Sequence, residues 1–421
     1  MVLPLIRTWT VLCCLLSPAT APSTQPEGTE HVHVHLADTT GPTKYVASGF
    51  LHGFSKDGLL PPDALVRPLK VQLHRTGPGS TWNQAARMKD LGIRQQVVVS
   101  DGWGYGRVHP GDGGDWTRWE QFVADMVREA RRRGLDPQWD IWNEPDHPFF
   151  WKRSPEQFDE TWRRGYAAIR SVDADAVIVG PSWSNVYPGQ DRFDEFVRFC
   201  QQHNVVPDYL CWHFPKDAVK EARTCRALLN RHGIKVKGLM VNEYALQRDQ
   251  YAGRTAWLIA QLERTGIDAA CHAVWGDESK GNLDGIIADP KNDAPKGQWW
   301  VYRRYAEATG QLVRTQPGRR IDLVAARDDR RNRVNILLGN AGGFRGDVHL
   351  HVDGFGAGEF LKSSGRVRVV VERIPENDGQ AVHESSVVWE QTVVVRADML
   401  EITLPWEHER DAYAVRISAA P

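Results

Sequence analysis

From Tyr45 to about residue 315 the chain alternates short apolar runs with longer amphipathic stretches, and this alternation constrains its fold more than any other feature. Eight runs of strand length occupy residues 45–50, 69–75, 94–100, 137–143, 176–183, 209–214, 238–245 and 269–275. Between them, apolar residues recur at helical spacing over Thr81–Leu91, Asp115–Arg133, Ser154–Ser171, Asp191–His203, Asp217–His232 and Tyr251–Thr265. A further helical stretch, Gly297–Gly310, follows the last run, and only the connection between the first two runs lacks a helical pattern. Local punctuation agrees. Ser154, Pro155 and Gln157 form a capping box with proline in the first helical position, and Gly134 stops the preceding helix. Eight strands alternating with helices predict an α/β fold, a parallel (β/α)8 TIM barrel over residues 45–315. A doubly wound open sheet is the alternative, but no glycine fingerprint follows the first run.

After Gly318 the texture changes to period-two and continuous apolar runs broken by Gly, Asp, Asn and Pro, as in RVNILLGN and DVHLHVDGF. Residues 316–421 therefore read as a C-terminal antiparallel β-sandwich, and the early alternation at residues 30–38 is expected to add a strand to it. That early segment places His31, His33 and His35 on one face, as metal ligands would be, yet the sequence identifies no fourth ligand, and an exposed sheet face explains them as well. The first 21 residues have one Arg, a short apolar run and Ala19 and Ala21 in a cleavage-like arrangement, the pattern of a secretory signal peptide. A secreted or periplasmic protein is expected, without a membrane span. Cys13 and Cys14 would leave with the signal. Cys200, Cys211, Cys225 and Cys271 match no zinc spacing and read as buried thiols, with one disulfide possible. The net charge of −1 is spread among mixed acids and bases, which leaves no electrostatic footprint for nucleic acid, so a neutral partner fits better. Seventeen tryptophans serve cores first, and their flat faces also suit sugar rings.

In a barrel of this kind the reacting residues gather at the carboxyl ends of the strands. Those positions hold His52, His74, Arg75, Asp101, Asn143, Glu144, Trp183, His213, Glu243 and Trp275. Glu144 and Glu243 end the fourth and seventh strands and can face each other across the mouth. Acetal hydrolysis needs such a pair: one carboxyl group protonated to assist the leaving oxygen, the other charged beside the developing oxocarbenium ion. The run WDIWNEPDHPFFW, residues 139–151, surrounds Glu144 with Trp142, Phe149 and Trp151, which disfavours ionisation and raises its pKa as a general acid requires. Glu243 has to stay ionised, and His213 is expected to hydrogen-bond it. Asn143 is suited to a sugar hydroxyl and Trp275 to the floor of a sugar ring. For His74, Arg75, Asp101 and Trp183, packing and substrate contact weigh equally, and His52 joins them as a candidate.

With these residues in place, the sequence resembles glycoside hydrolase family 39, the β-xylosidases and α-L-iduronidases within a large clan of retaining (β/α)8 enzymes. The resemblance runs from about residue 45 to 315 and rests on DIWNEPDHPFFW, AVIVGPSW, FDEFVRFCQQHNVVPDYLCWHF, GLMVNEYAL and AVWGDES. It implies Glu144 as acid/base, Glu243 as nucleophile, support from Asn143 and His213, and double displacement on a β-linked oligo- or polysaccharide without metal or organic cofactor. Two departures stand out: Gln72 occupies the place of the family's usual Arg before His74, with Arg75 just after it, and Asn242-Glu243-Tyr244 replaces the usual Thr-Glu-Trp. Two rival readings remain at this stage: a non-catalytic carbohydrate-binding barrel, and a metal-dependent hydrolase using His31, His33 and His35.

Overall fold

A computed structural model describes residues 28–184, 191–273, 280–358 and 365–420. The expected signal peptide and Trp275 lie outside the described residues. The chain forms two compact units, one of residues 45–248 with 261–293, the other of the chain up to 44 with 249–260 and 294–421.

The first unit is a closed eight-stranded barrel. Its strands, Gly49–Leu51, Leu73–Thr76, Arg94–Val98, Gln138–Asp140, Ile178–Trp183, Tyr209–His213, Gly238–Tyr244 and Ala269–His272, pair in parallel in sequence order, and the first closes on the eighth through Gly49 opposite Cys271. Nearly every strand residue is buried, which explains why the runs look continuously apolar rather than alternating. Leu73, Val179, Cys211, Met240, Ala269 and Cys271 form one interior cluster. The closure requires glycine at 49, because a Cβ there would stand 2.4 Å from the carbonyl oxygen of Ala270.

The surrounding helices bury one stripe each. Thr117–Arg132 turns Trp119, Val123, Met126, Val127 and Ala130 inward, at the spacing of a helix face, and each large side chain so covered contributes roughly 1.5–3 kcal/mol. Pro155 opens Pro155–Val172 and the Ser154 hydroxyl accepts from Gln157 N–H at 3.3 Å, but this is half of the expected capping box, because the Gln157 side chain donates to Pro110 O at 2.9 Å instead of turning back to Ser154. The first connection, which has no helical pattern, carries only a short helix at Asp63–Val66 and a 3-10 turn at Arg67–Leu69.

The second unit is a nine-stranded, mostly antiparallel sheet in the order 386–394, 366–374, 412–419, 333–340, 321–328, 311–316, 29–42, 346–353, 399–406. The N-terminal strand Thr29–Pro42 sits inside this sheet, antiparallel to Gln311–Gln316 and parallel to Gly346–Asp353. Residues from all nine strands meet in one apolar cluster, so the sheet folds over a shared core. Val32, Val34 and Leu36 point into that core, which turns His31, His33 and His35 outward by the two-residue period of a strand.

Cys200, Cys211, Cys225 and Cys271 are free buried thiols, and the possible disulfide is not formed. Among the described residues, no helix is long and apolar enough to cross a membrane.

Candidate active site

The carboxyl ends of the barrel strands converge on a buried polar network centred on Arg75. This side chain lies at the end of the second strand, is 1 % exposed, and reaches three acceptor residues, two at the end of the fourth strand and one at the end of the seventh. Its Nη1 donates to Glu243 Oε1 at 2.7 Å, its Nη2 to Asp140 Oδ2 at 2.7 Å and to Asn143 Oδ1 at 2.7 Å, and its Nε to Asp140 Oδ2 at 3.0 Å. The two carboxylates hold the guanidinium charged against the burial that opposes it, and push its pKa up. Because Asn143 Oδ1 is taken by Arg75, the amide nitrogen of Asn143 is the end left to donate.

Glu144 and Glu243 come together as expected. One oxygen of each and a ring nitrogen of His213 all lie within 4.8 Å of one another. Burial raises the Glu144 pKa to about 7, with the charges of Arg75 and His147 pulling it down. Burial also pushes the Glu243 carboxyl up, opposed by His213 and Arg75, and the 2.7 Å contact with Arg75 supplies the partner its charged form needs. Glu243 Oε2 has no hydrogen-bond partner among the described residues. The two environments differ: Glu243 has a fixed cation bonded to it and Glu144 has none.

His213 corrects the sequence reading. Its Nδ1 stands 2.9 Å from Glu144 Oε1 and 3.7 Å from Glu243 Oε1, so it bonds the first glutamate and only approaches the second. Burial lowers its pKa to about 4, so the neutral ring donates Nδ1–H to Glu144. Arg75, not His213, is the partner that holds Glu243.

The backbone also departs from the ordinary here. Glu144 has φ +44°, and Ser182, Phe214 and Ala245, which lie at the ends of the next three strands, have φ of +53°, +43° and +66°. Left-handed backbone at non-glycine residues is costly and gathers where side chains must be aimed. Glu144 N–H bonds Ser182 O at 2.9 Å, and Phe214 N–H bonds Glu243 O at 2.8 Å, which ties neighbouring strand ends together. Asp146 serves the same end: its carboxylate accepts from Ser184 N–H at 2.8 Å and Ser184 Oγ at 2.9 Å, and burial raises its pKa to about 6.

The remaining candidates divide. His74 is fully buried, donates to the carbonyl of His52, and is held neutral by burial with a pKa of about 3. His52 bonds Thr76 Oγ1 through Nδ1 at 3.0 Å. Asp101 lies near the Arg75 charge and accepts from the Tyr105 hydroxyl. Trp183 is not brought to the glutamates: it is buried among Phe158, Phe193 and Phe196, so its contacts are those of a core residue. Phe149, expected to help desolvate Glu144, is 60 % exposed, while Trp142 packs edge-on against Trp119 and Trp151.

Sequence reasoning passed over Asp140, Ser182, Asn242, Gln96 and Ser100. Asp140 accepts from Arg75 and from Ser182 Oγ at 2.7 Å, Asn242 Nδ2 donates to Gln96 Oε1 at 2.9 Å, and Ser100 Oγ accepts from Asn143 N–H at 3.0 Å. A signal existed: polar residues inside otherwise buried strands are rare unless paired.

Glu144, His213 and Glu243 also have the composition of a metal site. The guanidinium bonded to Glu243 places a fixed positive charge against one of the three ligands, which disfavours a divalent cation and favours a carboxyl pair of unequal proton affinity.

Residues 105–238 match the family model described as glycosyl hydrolases family 39. A β-xylosidase from Geobacillus stearothermophilus is 23 % identical over 159 residues, a match that spans 31 % of this chain and 31 % of that relative. The structure of N2152 from Neocallimastix frontalis is similar with a TM-score of 0.81 at 22 % identity, covering 93 % of this chain and 100 % of that one. The family 39 enzyme from Xanthomonas axonopodis pv. citri is similar with a TM-score of 0.67 at 14 % identity, covering 94 % and 98 %. The matched segment contains Glu144 and His213, and the structural likeness spans both units. The chain is therefore similar to glycosyl hydrolases of family 39 over residues 105–238, and its fold is that of the solved structures named above.

Proposed function

We propose that the protein is a secreted retaining glycosidase that cleaves β-linked oligo- or polysaccharides, with a β-xylosidase-like preference. The observation that carries this reading is the pair of glutamates ending the fourth and seventh strands, with oxygens within 4.8 Å and unequal surroundings. Retaining enzymes use carboxyl groups about 5 to 5.5 Å apart, whereas inverting ones need room for a water between them. Glu144, protonated near neutral pH, gives its proton to the glycosidic oxygen as the bond to the anomeric carbon breaks. Glu243, charged against Arg75, attacks that carbon and forms a glycosyl ester. Glu144, now a carboxylate, takes a proton from water as its oxygen attacks the same carbon and releases Glu243. His213 donates to the Glu144 carboxyl and orients it, and Asn143 offers its amide nitrogen to a sugar hydroxyl.

The test is covalent trapping. A fluorinated aryl β-xyloside is expected to add one glycosyl mass to the protein, on a peptide containing Glu243. A protein that binds sugar without reacting gains no mass. Hydrolysis of aryl β-xylosides that survives in Glu243→Ala would overturn the assignment.

A further inference from the structure

The strand that carries His31, His33 and His35 lies in register beside Gly346–Asp353, so that His31 stands opposite His349, His33 opposite His351 and His35 opposite Asp353. The next strand places Thr403 opposite His349 and Glu401 opposite His351. Five imidazoles and two carboxylates therefore share the outer face of three adjacent strands, half-buried and reachable from solvent. The rings stack: His31 lies 4.8 Å from His349 and 5.2 Å from His351 between centroids, and His33 lies 4.6 Å from His351.

We propose that this histidine array binds a divalent first-row transition ion such as Zn2+ or Cu2+, at a site separate from the glutamate pair. Imidazole nitrogen suits these ions, and no strand of the sheet could supply enough ligands alone. His31 Nδ1 stands 2.9 Å from His351 Nε2. With the ring centroids 5.2 Å apart the two nitrogens point at each other in a hydrogen bond, so an ion enters by displacing the proton between them and turning the rings until both lone pairs converge on it. The carboxylate of Glu401 supplies the fixing partner that metal-bound histidines require: its Oε1 is 3.0 Å from His349 Nδ1 and its Oε2 is 3.6 Å from His351 Nδ1. A proton kept on Nδ1 of His349 and His351 leaves their Nε2 lone pairs free, and the Nδ1 proton that His31 donates to His351 Nε2 shifts to the other nitrogen of the His31 ring when the ion binds. Asp353, bonded to His35 at 2.9 Å, adds a second negative charge at one end of the array. The cation at that end, Arg314 opposite His35, is paired with Asp38. On this proposal His31 and His351 give the first two bonds once their rings have turned, and His33, whose ring centroid lies 4.6 Å from that of His351, and His349, 4.8 Å from His31, are the imidazoles at hand for further bonds.

The full chain, stripped with chelator, is titrated with Zn2+ by calorimetry near neutral pH, and its melting temperature is followed with and without Zn2+. Wild type is expected to bind a single Zn2+ and to melt higher in its presence. The double variant His31→Gln, His351→Gln is expected to lose about tenfold or more in affinity, and Glu144→Gln to lose none. His33→Asn, outside the 2.9 Å pair, serves as a second variant if the double one fails to fold, and is also expected to bind more weakly. Equal Zn2+ affinity in wild type and the histidine variants, including no binding in any of them, overturns the proposal. So does loss of binding in Glu144→Gln alone.

Discussion

A carboxyl group that burial holds at a pKa of about 7 is half protonated at neutral pH, so in the proposed reaction Glu144 sets where the activity declines. On that proposal the protonated form starts the reaction, and kcat/KM is expected to fall as pH rises through about 7. In Glu144→Gln that alkaline limb should vanish and kcat on unactivated β-glycosides should drop by ~10²–10⁴-fold. Added azide should restore turnover of activated aryl glycosides by attacking the glycosyl ester in place of water. A limb that persists unchanged in the variant would assign the titration to another group. Arg75 gives a second expectation at this scale. Arg75→Met leaves Asp140 and Glu243 buried without their cation, a change of the kind that costs about 3–5 kcal/mol, and Glu243 then favours its protonated form. Urea unfolding should show the loss of stability, and single-turnover kinetics the loss of the glycosylation step. Glu144 and Glu243 were legible because each ends a strand, and strand ends in a barrel have known direction. The partners of Arg75 were not, since they lie 65, 68 and 168 residues away and only closure of the barrel brings them within 3 Å. The same distance problem gave His213 the wrong glutamate.

At the scale of elements, all eight barrel strands were visible as apolar runs, but their ends moved where backbone geometry overrode hydrophobicity. The first begins at Gly49 rather than Tyr45, because Tyr45 has φ +56° and Ser48 N–H folds back onto its carbonyl at 2.9 Å. The helix expected from Thr81 starts at Pro78, a residue that reads as a breaker in sequence yet suits the first helical turn. The strand Gln311–Gln316 was missed, since its burial alternates too weakly to mark it as a sheet segment. The Gly49 contact makes a sharp prediction. Gly49→Ala forces a methyl group against the Ala270 carbonyl oxygen at 2.4 Å and the Cys271 Sγ at 2.9 Å, and the carbonyl belongs to the paired strand and cannot swing aside. Overpacking of this kind costs about 1–3 kcal/mol, and the urea midpoint should fall accordingly. A neutral substitution would mean that the first and eighth strands do not close as described.

For the whole molecule, buried titratable groups of two kinds shape stability against pH. His74, His213 and His272 have pKa values of about 3, 4 and 3, well below their unfolded value of about 6.5, so they cost stability as pH falls below that value. Glu144 and Asp146, raised to about 7 and 6, act in the opposite sense: the folded state holds their protons, and the stability they add is lost as pH rises through those values. From about pH 4.5 to 6.5 the two carboxyls offset most of what the three imidazoles cost, and below this window the unfolded carboxylates protonate too, leaving the imidazoles unopposed. Urea midpoints measured across pH should show a shallow plateau there and a steep decline on its acid side. A steady decline starting at pH 6.5 would mean that the carboxyl values are not raised.

The strand Thr29–Pro42 is laid between segments that begin at Gln311 and Gly346, so its two neighbours begin about 280 and 320 residues after it does. A fragment starting at the barrel would split the nine-stranded sheet in its interior and bare two edges, each able to capture a strand from another molecule. Anyone dividing this chain for expression should therefore carry its amino-terminal ribbon along with the carboxyl-terminal half, or supply it as a separate peptide.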